Sequence, residues 1–215
     1  MTCSTAMHRK ASSNVHSPSM ESESDEELFN SSQNGDIEGV ITALAQGGRV
    51  TMRNHQGFTP LLVAAQRGHT DICGLLLASG SDVNEVDSKI KLTALHYAAA
   101  EGHNVLVEAL LSWEAQVNPQ DYNGFVPLHA ACLGGHLLCV LTLLKAGASI
   151  TLPSDHGPLP IHFAAQRNRV EIVKTFLEHG CSPCSVGWKH KQLSSSLFLS
   201  ARQQEWADTT DVCSI

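Results

Sequence analysis

Apolar residues in this chain fall into short stripes at helical spacing rather than alternating along strands. Val40, Ile41 and Leu44 form one. Ile72, Leu75 and Leu76 form a second, and Leu106, Leu110 and Leu111 a third. Val140, Leu143 and Leu144 follow, then Ile172, Val173, Phe176 and Leu177. Each stripe predicts one short amphipathic helix. A second, Ala-rich helical segment precedes most of them, opening on Thr-Pro, as at Thr59-Pro60. Thr at an N-cap accepts a hydrogen bond from a free N–H, and Pro at the first helical position needs no donor. Gly80, Gly147 and Gly180 follow the stripes as helix C-terminal stops. No run approaches the ~18 apolar residues of a membrane span.

The same text recurs at a fixed period. "NHQGFTPLLVAAQRGH" (54–69), "KIKLTALHYAAAEGH" (89–103), "NGFVPLHAACLGGH" (123–136) and "DHGPLPIHFAAQRNR" (155–169) align so that Thr59, Thr93, Val126 and Leu159 share one column, spaced 34, 33 and 33. The opening segment "ELFNSSQNGDIEGVITALAQGGRVTMRN" keeps the spacing without the Thr-Pro signature. A period near 33 with T-P-L-H resembles the ankyrin repeat. The resemblance runs from about Leu28 to Pro183 and implies an all-α repeat solenoid of about five stacked helix–turn–helix units joined by β-hairpin-like turns. The expected organisation is an arm over 1–26, Ser-rich, acidic and disordered, and a repeat domain over 27–183. Its units cover 27–53 (a degenerate cap), 54–86, 87–120, 121–153 and 154–183. A tail over 184–215 is read as disordered or as a short capping helix on Leu193, Leu197 and Ala201. One unit cannot bury its own face, so stability must come from stacking. The small pairs Ala64-Ala65, Ala98-Ala99, Ala130-Ala131 and Ala164-Ala165 are expected where helices approach closely.

The chemically suggestive stretch is H-x2-C-x3-H, with His129, Cys132 and His136 able to share one helical face. The repeat dissolves it. His129 shares a column with His96 and His162, and His136 with His69 and His103, so both serve the architecture. Cys132 is matched to the variable positions Gln66, Ala100 and Gln166. The resemblance implies that the T-P-L-H imidazoles bond neighbouring backbone and that the Gly-His column caps the first helix. "CSPC" (181–184) lacks further ligands at zinc spacing. No phosphate loop, nucleophile elbow or H-E-x-x-H is present. The reading is of a protein that is not an enzyme and has no catalytic residue, cofactor or metal.

The resemblance places a binding surface on the concave face, made of hairpin tips and the open side of each first helix. There the units stop agreeing with one another: His55, Gln56 and Phe58; Lys89, Ile90 and Leu92; Tyr122, Asn123 and Phe125; Asp155, His156 and Pro158 at the tips. Gln66 and Arg67, Ala100 and Glu101, Cys132 and Leu133, and Gln166 and Arg167 follow on the helices. Phe58, Leu92, Phe125 and Pro158 form an apolar row expected to face water, the kind of row that marks an interface. The expected contact set is His55, Phe58, Gln66, Arg67, Leu92, Tyr122, Phe125, Leu133 and Arg167. The third unit departs most, with one extra residue around Lys89-Ile90, no Gly at Lys91, Ala94 for Pro, and Trp113-Glu114 for the usual Gly turn. It is the expected site of a distorted hairpin. Leu62 replaces His in the second unit.

Seven scattered cysteines and no apolar leader point to reduced thiols in cytoplasm or nucleus. The net charge of −7, without a basic stripe, speaks against nucleic acid and for a partner with an apolar or basic surface. No membrane contact and a monomeric state are expected. Ser22 and Ser24 in "ESESDEE" are candidate phosphorylation sites. Asn84 and Asn118 stand where relatives of this kind can be hydroxylated on asparagine, each eight residues after a Leu, Leu76 and Leu110. The leading functional reading is a non-catalytic protein-interaction scaffold or regulator. The alternative is a substrate-receptor adaptor of a ubiquitin ligase whose tail docks the machinery.

Overall fold

The structure is a computed structural model that describes residues 23–155 and 157–181. Ten helices fill the described residues in five pairs: α1 (Glu23–Asn34) with α2 (Ile37–Ala45), α3 (Pro60–Arg67) with α4 (Thr70–Ala78), and α5 (Ala94–Glu101) with α6 (Asn104–Ser112). The remaining pairs are α7 (Pro127–Gly134) with α8 (Leu137–Lys145), and α9 (Pro160–Gln166) with α10 (Val170–Glu178). The first helices of the pairs stack on one another from α1 to α9, and the second helices form a looser parallel row from α2 to α10. The apolar stripes supply one continuous core between the rows, including Val40, Ile72, Leu76, Leu106, Leu110, Val140, Leu143, Ile172 and Phe176.

Among the described residues there is no strand, only an isolated antiparallel bridge from Val86 to Thr93. The regular hairpins close by two backbone bonds each, the inner one from Gly57, Gly124 or Gly157 N–H back to Asn54, Asp121 or Ser154 O. Asn54 N–H donates to Phe58 O, Asp121 N–H to Phe125 O and Ser154 N–H to Pro158 O, each four residues on. In the third unit Asp87 N–H reaches Leu92 O, five residues on, which is how the extra residue is absorbed. Lys91 there adopts φ 61°, a left-handed backbone that costs a Cβ-bearing residue strain. Glu114 (φ 62°) does the same at the end of α6, where other units carry Gly47, Gly80, Gly147 or Gly180. Glu114→Gly is therefore expected to stabilise the chain by up to about 1 kcal/mol. A thermal midpoint that fails to rise would show that the Glu114 side chain has a compensating contact.

Two readings need correction. The small-residue pair of the fourth unit is Ala131 and Cys132, both fully buried, not Ala130 and Ala131. Counted from each helix start, Cys132 stands with Ala65, Ala99 and Ala165, so it is a core residue and not part of an open helix face. The acidic arm is also shorter than expected, because Glu23 to Glu26 form the first turn of α1. Asp25 is buried and receives the Arg49 backbone N–H at 2.7 Å, Nη2 at 2.8 Å and Nε at 3.1 Å. It ties α1 to the segment that follows α2. Arg49 is half exposed and can return to water once unpaired. Asp25→Ala should therefore cost about 1–2 kcal/mol rather than the ~3–5 of a fully buried pair. A denaturation midpoint unmoved by the change would contradict the latch.

Candidate functional site

Each reactive side chain of the H-x2-C-x3-H stretch already has a structural duty. His96, His129 and His162 accept the N–H of Thr93, Val126 and Leu159 on Nδ1, at 3.2, 3.1 and 2.9 Å. An imidazole that accepts on Nδ1 carries its proton on Nε2. That proton is donated forward by His96 to Phe125 O at 3.1 Å and by His129 to Pro158 O at 3.3 Å. Each such ring thus ties its own helix start to the next hairpin. Burial pushes the His129 pKa down to about 4, and burial lowers His96 and His162 as well. These rings are held neutral.

The second His column reaches the other way. His69, His103 and His136 donate from Nε2 to Gln33 O, Gln66 O and Ala100 O at 3.2, 3.2 and 2.9 Å, and Arg169 takes the same role on Gly134 O at 2.9 Å. Each satisfies a carbonyl at the C-terminal end of the preceding unit's first helix, where orphan acceptors accumulate. It is the preceding helix that is capped. Close approach of this ring requires glycine: a Cβ on Gly68 (φ 78°) would fall 2.6 Å from the His103 ring. Cys73, Cys132 and Cys139 are buried, and burial raises all three thiols, Cys73 to about 12 and Cys139 to about 11. Thiols so protonated are poor nucleophiles. No group of three or more His, Cys, Asp or Glu able to hold a metal exists among the described residues. Cys181 is buried, and its CSPC partner Cys184 lies outside the described residues.

The hairpin tips differ from expectation. Phe58, Leu92 and Phe125 are half-buried and packed toward the core or a neighbouring ring, and Pro158 is buried. Phe58 lies 5.6 Å from the Tyr97 ring, and Phe125 lies 5.0 Å from Phe163 and 5.1 Å from His129. The apolar row is therefore a stack between units and not a strip facing water. The sequence carried a signal for this: the two tip phenylalanines are each followed, one unit later, by an aromatic residue after the T-P-L-H column, Tyr97 and Phe163. In the unit between, Leu92 is matched by the small Ala130.

What stands open is narrower. Tyr122 is 56% and Ile90 42% exposed, and Tyr122 N–H donates to Ile90 O at 3.1 Å, joining the third and fourth tips. Lys91 Nζ sits 4.7 Å above the Tyr122 ring. His55 is exposed near a hairpin tip, Arg67 and Arg167 are exposed at the ends of α3 and α9, and Gln66 and Leu133 are half-exposed on α3 and α7. Asp87, unremarked in the sequence, organises the third tip. Its Oδ1 receives the N–H of Lys89, Ile90 and Lys91 at 2.8, 2.7 and 3.2 Å, and its Oδ2 the Tyr97 hydroxyl at 2.6 Å. Burial pushes the Asp87 carboxyl up, but the Tyr97 hydroxyl and the backbone donors outweigh it and hold the group below its ordinary range. In the second-helix row, Val105 of α6 and Leu138 of α8 are also exposed, one unit apart.

The candidate modification sites are held to different degrees. Asn84 Oδ1 receives the Gln116 N–H at 2.8 Å and Asn118 Oδ1 the Ser149 N–H at 3.0 Å, so each pins the following unit. Ser24 is half-buried in the first turn of α1, and Ser22 lies outside the described residues. So do His156 and the tail stripe of Leu193, Leu197 and Ala201. No described helix is long and apolar enough to cross a membrane.

Comparison with known proteins agrees with this geometry. The chain matches the family described as "Ankyrin repeats (3 copies)" over residues 75–154 and 95–187, and "Ankyrin repeat" over 56–88. It is 36% identical over 95 residues to the ankyrin repeat and KH domain-containing protein mask-1 of Caenorhabditis elegans, covering 44% of this chain and 4% of that protein. It is 37% identical over 83 residues to a rice protein (Oryza sativa subsp. japonica) named "Probable E3 ubiquitin-protein ligase XBOS31", covering 39% of this chain and 19% of that one. Likeness to alpha-latrotoxin-Lt1a of Latrodectus tredecimguttatus is 34% over 89 residues, 41% of this chain and 6% of the toxin. The chain thus spans less than a fifth of the length of each of these relatives. With the period, the paired helices and the two histidine columns in agreement, the chain belongs to the ankyrin-repeat family.

Proposed function

We propose that this chain is a non-catalytic interaction module that holds a protein partner on the face made by its hairpin tips and first helices. The observation that carries the reading is a division of labour. The repeated His and Cys side chains are engaged in joining units or buried in the core. The residues that vary from unit to unit and remain accessible, Tyr122, Ile90, Arg67, Leu133 and Arg167, lie at hairpin tips and at the ends of first helices, and the reading takes them as one face. Exposed aromatic and Arg side chains are the usual anchors of an interface. The reading also takes the chain to act as a monomer in cytoplasm or nucleus, with units as laid out above.

The test compares capture of binding proteins by wild type, by a Tyr122→Ser, Leu133→Ser, Arg67→Ser variant and by a Val105→Ser, Leu138→Ser variant, each shown folded by circular dichroism. The reading expects the first variant to lose specific partners and the second to keep them. The reverse pattern would move the site to the second helices.

The likeness to a protein named as a ubiquitin ligase favours an adaptor as the second reading, although it covers repeat sequence only. Deleting 184–215 would separate the two. An adaptor loses ligase components and keeps its substrate, whereas a plain scaffold loses neither. Phosphorylation at Ser22 or Ser24 and hydroxylation at Asn84 or Asn118 are regulatory proposals, read by intact peptide mass from cells. Because both asparagine side chains pin a following unit, hydroxylation is expected on transiently opened chains.

A further inference from the structure

We infer that the partner segment taken by this face is an acid-bearing apolar peptide, an inference that rests on the proposed binding face. The chain as a whole is acidic, at −7, which on its own would favour a basic partner. From the second unit to the fifth, the face has the opposite balance. Arg67, Lys89, Lys91 and Arg167 are all exposed on the hairpin tips and first helices. No ion pair holds Arg67, Lys89 or Arg167 among the described residues. The open acids on the tips and first helices of the second to fifth units are Glu101 and Asp155, whereas α1 of the first unit exposes Glu23 and Glu26. Asp87 and Asp121 point their carboxylates at backbone N–H groups of their own turns and are not available to a ligand's cations.

The acidic excess lies on the second-helix row. Glu38, Asp71, Glu108 and Glu178 are exposed there, while Lys174 is already paired with Glu171 at 3.3 Å. Lys145 at the end of α8 is an exposed cation of that row, yet the row stays acidic. The tips and first helices of the second to fifth units carry more open cations than acids and so complement carboxylates. Complementary potential sets which partners approach and in what register.

The third and fourth tips add an apolar requirement. Lys91 holds its ammonium over the exposed Tyr122 ring, with Ile90 beside it. A ligand aromatic or aliphatic side chain resting on Tyr122 and Ile90 would bring an adjacent Asp or Glu to Lys91 or Lys89. The strained Lys91 backbone and the extra residue of the third hairpin are what put these groups together. The first-helix arginines, Arg67 in the second unit and Arg167 in the fifth, flank this centre and would take acids further along the peptide. Guanidinium groups suit carboxylates because two N–H donors match two oxygens.

The probe is a displayed random-peptide library selected against the full chain, at low and at physiological salt, and again against a Lys89→Glu, Lys91→Glu, Arg167→Glu variant. The inference expects wild type to enrich Asp and Glu next to Leu, Phe or Trp. It further expects the charge-reversed variant to bind those peptides about tenfold or more weakly, with the gap narrowing as salt rises. Enrichment of Lys- and Arg-rich peptides, or no enrichment, would overturn the inference. Because the reversed variant could misfold, Tyr122→Ser alone is run beside it and should weaken the same peptides without a change in circular dichroism. Basic peptides weakened by Tyr122→Ser would leave the face standing and overturn only the ligand class. Selected peptides indifferent to every change on this face, but lost with Val105→Ser and Leu138→Ser, would overturn the face itself.

Discussion

Lowering the pH from 6.5 to 4 is expected to destabilise this chain by on the order of 3 kcal/mol through His129 alone. The ring is fully buried, and burial brings its folded pKa from 6.5 to about 4. Its Nδ1 faces the Val126 N–H and its Nε2–H faces the Pro158 carbonyl, so a second proton would set donor against donor. The sign follows from linkage. A folded pKa below the unfolded one means that the unfolded chain binds more protons in this window. The stabilisation is complete above pH 6.5 and is lost as pH falls toward 4. His96 and His162, also lowered, act in the same direction. His129→Leu isolates the effect, since Leu62 occupies the same column fully buried in the second unit. The variant should be less stable at pH 7, having lost two hydrogen bonds, yet lose less on acidification. Denaturant midpoints at neutral and acid pH check this, and parallel acid losses in wild type and variant would contradict it.

The second large effect separates two rings that sequence alone puts in one class. Phe125→Ser should cost about 2–4 kcal/mol, because the ring packs between His129 and Phe163 and joins the fourth unit to the fifth. Tyr122→Ser should cost less than about 1 kcal/mol, since the ring is largely in water, and should abolish partner binding. Thermal unfolding and a binding assay on the same two variants check the division. Equal stability losses would place Tyr122 in the fold, and binding that survives Tyr122→Ser would remove it from the site.

The fold was legible in the sequence because a repeat states each structural requirement several times. Gly-His and T-P-L-H recur because the same ring meets the same carbonyl in every unit. What was misread depended on contacts the period does not encode. Asp25 looks like one acid in a solvated run, and Arg49, 24 residues away in the segment after α2, helps make it a buried anchor. Matching the Ala-Ala text rather than the distance from the helix start puts Cys132 one column off. Side-chain size, not chemistry, selects that column, so Cys serves there as Ala does. The tip row misled for a related reason. Apolar residues at a turn look exposed within one unit, and only the next unit's Tyr97 or Phe163 covers them. Asp87 escaped notice because a turn aspartate is common, and its extra ligand, the Tyr97 hydroxyl, becomes a neighbour only once the third hairpin is closed.

The most direct test of the binding face is a photo-crosslinking amino acid placed singly at Tyr122, at a hairpin tip, and at Leu138, in the second-helix row, both exposed, in cells expressing the chain. The account predicts that the probe at Tyr122 couples to discrete proteins and the probe at Leu138 does not. Discrete coupling at Leu138 with none at Tyr122 would contradict it and assign the partner to the second helices.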